Sequence, residues 1–177
     1  MLNALSRPEI WQDFLEYKRQ GGHLRPLDLE KLEQFIKLRS YLPIAQKLQN
    51  GGTFAPPRRS EISKMSTGKK RIVYTYEDDE NRVLKLLTYL LQRKYDHLFA
   101  DNLYSFRPHK GVRDGILSLT GAANLQKMWA YKVDISNYFN SIPVERLLPL
   151  LRETLVDEPE ICHFLESLLM NPLVNDH

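Results

Sequence analysis

The chain has 177 residues, a length that suits one domain or one domain with an appendage. With 42% hydrophobic and 27% charged residues it carries enough apolar material for a core, which excludes wholesale disorder. Its net charge of +3 hides an asymmetry: residues 1–50 carry +2, residues 51–113 carry +6 and residues 114–177 carry −5. A basic middle beside an acidic end suits a protein that grips a polyanion with one part and cations with the other, although a patchy solvated surface reads the same way. The run Leu86–Leu91 is apolar apart from Thr88 and far shorter than the ~20 residues that span a bilayer. The first residues show neither a basic nor an apolar leader region, and Cys162 is the single cysteine. The expectation is a cytoplasmic protein without disulfides, zinc-finger spacing or membrane contact.

The first fifty residues read as helices. Ile10, Phe14 and Tyr17 share one face of a segment that Gly21-Gly22 should end. Asp28 is a candidate N-cap for a second helix carrying Leu32, Phe35, Ile36 and Arg39, and Leu42–Leu48 suggests a third. No chemistry is visible in these elements.

From Phe54 to Tyr76 six basic residues (Arg58, Arg59, Lys64, Lys69, Lys70 and Arg71) face a single acid, Glu61. Two extended runs flank Ser66-Thr67-Gly68, as in a hairpin, with Ile72, Tyr74 and Tyr76 on one face and Arg71, Val73 and Thr75 on the other. A basic hairpin with interleaved aromatics can grip phosphates. Glu77-Asp78-Asp79-Glu80 invites a metal reading, but it precedes the apolar spacing of a long helix, where first-turn acids complement the dipole. A further helix is expected over residues 111–125, with Val112, Ile116, Leu119 and Ala123 as its apolar face.

Trp129-Ala130-Tyr131-Lys132-Val133-Asp134-Ile135 alternates as a strand should. Asp134 falls where this run meets a loop, so it can serve as a divalent-cation ligand or simply cap the turn at Ser136-Asn137. Helices are expected from Pro143-Val144, interrupted by Pro149, and from Pro159 to just before Asn171-Pro172.

Three of these stretches, taken in order, resemble bacterial reverse transcriptases. Lys132–Pro143 (KVDISNYFNSIP) resembles their first catalytic motif, and Tyr104–Asp114 (YSFRPHKGVRD) the "GFRP" segment of group II intron and related enzymes. The Lys69-Lys70-Arg71-Ile72-Val73 stretch resembles the fingers motif. Ordered motifs across residues 54–156 are more specific than any one alone.

The resemblance implies an α+β fold made of a helical extension (1–50), fingers with the basic hairpin (51–126) and the start of a right-hand polymerase palm (127–177). It implies deoxynucleotidyl transfer from a dNTP to a primer strand on an RNA template, with two Mg²⁺ ions, replaceable by Mn²⁺, in the complete site. Asp134 and the Ile135 carbonyl would be metal ligands, Lys69 and Arg71 would hold the triphosphate, and Phe139 would be the steric gate excluding a 2′-hydroxyl. Arg58, Arg59, Lys64 and Lys70 would contact nucleic acid; Arg107 would either contact template or anchor the fingers.

Departures accompany the likeness. Ser105 stands where the intron enzymes usually have Gly, and Arg71–Tyr76 does not continue as "RPLGIP", a difference that points towards retron and phage-defence types. The later "PQG" and "YxDD" motifs do not occur in the 177 residues, so the chain alone is expected not to polymerise. The other reading is a non-catalytic nucleic-acid-binding or assembly module derived from a polymerase.

Overall fold

Proline and glycine set the first helix boundaries in the computed structural model, which describes residues 1–22, 24–63, 70–136 and 138–175. Pro8 opens α1 (Pro8–Gly21), where its fixed φ suits the first turn and its missing N–H costs nothing. Gly22, at φ 62°, closes it in the left-handed region and donates its N–H to the Arg19 carbonyl at 3.3 Å. The buried face is Trp11, Phe14 and Leu15, one step round from the expected stripe, with Ile10 and Tyr17 half-covered at its edges.

Pro26 likewise starts α2 (Pro26–Lys37), so Asp28 lies inside the first turn and is not the N-cap. Its carboxylate instead accepts both Arg25 bonds, at 2.8 and 3.2 Å. The helix stops at Lys37; Arg39 turns to φ 55° and leaves the helical face expected for it. The third expected helix is α3 (Tyr41–Gln49).

The chain divides into two compact units, residues 1–86 with 139–177 and residues 87–138. The first is organised around Trp11. Its ring stacks on Tyr41 at 4.8 Å and meets Phe35 and Phe14 edge-on at 5.3 and 6.3 Å. Its indole N–H donates to the Leu5 carbonyl at 2.8 Å, so the one polar atom of a fully buried side chain is satisfied. Leu2, Leu32, Ile36, Ala45 and Leu48 complete this core.

After it come β1 (Arg58–Ser63) and β2 (Lys70–Thr75), the only sheet among the described residues. They pair antiparallel from Arg58↔Thr75 to Ser63↔Lys70, as the sequence suggested, while Ser66-Thr67-Gly68 lies outside the described residues. Tyr76 falls just beyond β2. A lone two-stranded hairpin is marginal in water. Here its base is rooted by Phe54, which is buried and packs edge-on against Tyr76 (5.4 Å) and Phe164 (5.0 Å).

Glu77-Asp78-Asp79-Glu80 leads into α4 (Asp78–Lys94), with three acids in its first turn. Later in the first unit come α6 (Val144–Thr154), with Pro149 inside it, and α7 (Pro159–Leu169), opened by its proline as expected. Arg152 and Glu166 tie α6 to α7 at 2.5 Å.

The second unit contains α5 (Val112–Thr120), shorter than expected because Gly121 ends it. The Asp114 carboxylate accepts the Gly111 N–H at 2.8 Å and so caps its start. Its expected core face stays exposed: Val112, Ile116, Leu119 and Ala123 all remain open to solvent. The expected strand over residues 129–135 is also absent, because a strand needs a neighbour to complete its hydrogen bonds and none of the described residues pairs with it. Trp129 and Tyr131 are each 91% exposed. Helices with one small antiparallel sheet are compatible with the α+β class. Among the described residues no helix is long and apolar enough to cross a membrane.

Candidate nucleic-acid interface

The hairpin presents its cations on two faces. Alternation places Arg58, Ser60 and Ile62 on one side of β1 and Arg59, Glu61 and Ser63 on the other, and every residue of β1 is exposed. The register puts Lys70 on the Arg59 face and aligns Arg71 with Ile62. Lys70 bonds the Glu61 carboxylate at 2.9 Å, with Arg59 3.7 Å from the same group. Arg58 reaches past the strand end to Glu77 at 2.6 Å. These exposed pairs are weak in water, so a phosphate can replace a carboxylate with little penalty. Lys64 and Lys69 lie outside the described residues.

Arg107 is used within its own loop. Its guanidinium grips both Asp96 carboxylate oxygens (2.9 and 2.8 Å) and the Ala100 carbonyl (2.9 Å), leaving the side chain 5% exposed. The Arg107 hydrogen bonds hold the Asp96 carboxyl below its usual range. These bonds tie Arg107 to its own loop. The loop it anchors is strained: Phe106 adopts φ 59°, uncommon for a bulky residue, while Gln92 holds its carbonyl at 2.7 Å. The result is a Phe106 ring 90% exposed. Sequence reading missed Asp96 and Gln92, whose partners lie 11 and 14 positions away, outside any local motif.

Asp134 and Ile135 lie on the irregular exposed segment before the turn at Ser136. Phe139 is in a short 3₁₀ turn, Tyr138–Ser141, and its side chain lies outside what is described. No group of three or more His, Cys, Asp or Glu residues that could hold a metal ion occurs among the described residues. One exposed carboxylate does not make a two-ion site, so the residues present do not fit the metal centre that the resemblance implies. The Glu77–Glu80 acids form none either: Asp78 and Asp79 pair with Arg82, Glu77 with Arg58, and Glu80 accepts the Ala55 N–H at 3.2 Å.

No family model matches the chain, and no solved structure matches it significantly. Over 109 residues it is 30% identical to an uncharacterized 91 kDa protein in the cob intron of Schizosaccharomyces pombe. That stretch is 59% of this chain and 13% of the yeast protein, so the chain spans only a small part of the relative's length.

Proposed function

We propose that the chain is the template- and nucleotide-gripping N-terminal portion of an RNA-directed DNA polymerase, the basic hairpin being its contact to nucleic acid. The observation that carries this reading is the exposed, aromatically rooted hairpin bearing Arg58, Arg59 and Lys70. Placement of the yeast relative in an intron agrees with the likeness to intron-type enzymes. The hairpin cations bind strand phosphates, Lys69 and Arg71 take the triphosphate, and Phe139 selects the deoxy sugar. Arg107 positions its loop. Asp134 would contribute one carboxylate to a site that needs others.

Binding of a labelled RNA template–primer across a salt series tests the hairpin. Each of Arg58→Ala, Arg59→Ala and Lys70→Ala should lower the log–log salt slope by about 0.7–0.9 for every phosphate the removed cation had neutralised. Unchanged slopes in all three would remove the hairpin from the interface.

A second reading, a non-catalytic binding or assembly module, draws on the same hairpin and on the absence of a metal-holding cluster among the described residues. Titrating a dNTP and the matching rNTP into the RNA complex separates the two. Preference for the deoxy form, abolished in Phe139→Ala, favours the polymerase reading; equal binding of both favours the module.

A further inference from the structure

The N-terminal helices, in which the sequence shows no chemistry, form a cationic cleft together with the start of α4. Helices α1, α2 and the start of α4 converge on a cavity of about 230 Å³ with Phe14, Leu24 and Leu32 among its walls. Five cations line it, Lys18, Arg25, Lys31, Arg82 and Lys85, against two carboxylates, Asp28 and Asp78. The arginines are already matched: Arg25 forks onto Asp28, and Arg82 holds Asp78 and Asp79. None of the three lysines has a carboxylate within ion-pair distance among the described residues, although the charges of Lys31 and Lys85 reach Asp28.

Lys18 is the least solvated of the three. Its ammonium lies over the Phe14 and Tyr17 rings at 5.2 and 5.4 Å, which fixes its stem. Burial, and secondarily the like charge of Lys85, push its pKa down. Lysines on an ordinary solvated surface spread apart; these come from three helices, separated by up to 67 positions in sequence, into one cleft. Such convergence costs Coulomb energy that an anion between the ammonium groups would return.

We propose that this cleft binds a phosphate group, with Lys18, Lys31 and Lys85 donating to its oxygens. Its volume lies below the ~300 Å³ at which ligand pockets usually begin, which suits a phosphate and excludes burial of a whole nucleotide. Ammonium-to-phosphate bonds are charge-assisted, and each lysine brings three donors. The phosphate has two available sources: the backbone of an RNA strand, or a free phosphate or pyrophosphate. The site stands apart from the hairpin reading and survives its failure.

The test uses the full 177-residue chain in three forms: wild type, Lys31→Gln/Lys85→Gln, and Arg59→Gln/Lys70→Gln as a hairpin control. Lys31 and Lys85 are exposed, so the fold should persist, which coincident melting curves would verify. Inorganic pyrophosphate is titrated by calorimetry, and a labelled 12-nucleotide oligouridylate by anisotropy across a salt series. With free phosphate as the source, pyrophosphate affinity should fall about tenfold in the cleft variant, the effect of a charge-assisted bond, and hold in the hairpin control. With an RNA backbone as the source, the salt slope for oligouridylate should also fall, by about 0.7 per lysine replaced. A slope change without pyrophosphate binding still assigns the cleft to strand phosphates. Cleft-variant values equal to wild type in both titrations overturn the proposal, whatever the hairpin control shows.

Discussion

The two units of this chain are held together differently. In the first, Trp11 is fully buried among Phe14, Phe35 and Tyr41, and neighbouring aliphatic side chains close the core around them. In the second, buried apolar side chains are few (Leu87, Tyr89 and Tyr95), while Trp129, Tyr131 and the α5 face remain open. Its loop geometry is fixed by polar clamps instead: Arg107 on Asp96, Gln92 on the Phe106 carbonyl, and Lys110 on the Asp101 carbonyl at 2.8 Å. Burial gives strong, non-directional cohesion. A clamp gives a defined backbone shape and depends on charge. The second unit is the richer in aromatic residues yet buries fewer of them, so composition alone does not produce the contrast.

Truncating the two tryptophans puts the contrast under the greatest strain. Trp11→Ala removes a fully buried indole and should cost about 3–5 kcal/mol in chemical denaturation, enough to unfold a marginal domain. Trp129→Ala removes a side chain that is almost wholly in solvent and should stay within about 0.5 kcal/mol. Comparable destabilisation by the two would mean that residues 129–135 are covered in solution.

A smaller effect comes from the end of α1. No atom would meet a Cβ at Gly22 within 4 Å, so Gly22→Ala carries only the penalty of the left-handed backbone, about 1–2 kcal/mol. Gly22→Asn should destabilise less, since Asn tolerates that region. Equal melting shifts for the two would show that tolerance of the left-handed backbone does not set the cost at this position.

The smallest effect is confined to the second unit and should follow pH. Arg107 holds the folded Asp96 carboxyl below its unfolded value, so this contribution is complete above the ordinary carboxylate pKa of about 3.9. It disappears as pH falls further, through the lowered folded value. Amide exchange at Phe99 and Leu103, whose N–H groups bond the Asp96 and Ala100 carbonyls that Arg107 grips, should therefore speed up, after correction for intrinsic rates, as pH falls below about 3.9. Arg107→Lys, which cannot fork onto both oxygens, should show the faster exchange already at the higher pH. Exchange at Trp11 provides the contrast, since its burial involves no titrating group. Acid opening of both sites together would erase the distinction between the units.

Much of the architecture follows from residues acting on their own backbone or on near neighbours. Pro8, Pro26 and Pro159 open helices because a fixed φ and a missing N–H suit a first turn; Gly22 closes one because it lacks a Cβ. The hairpin pairing and the acidic first turn of α4 arise equally locally, from alternation and from the helix dipole. What local terms leave open is whether a patterned segment finds something to pack or pair with. Among the described residues, 129–135 alternate as a strand does but have no pairing neighbour, and the apolar stripe of α5 stays uncovered. Asp96 and Arg107 meet across 11 positions, and Lys18 and Lys85 line one cleft across 67. Strand pairing, burial and charge convergence are properties of two segments at once, and tertiary packing alone decides which segments meet.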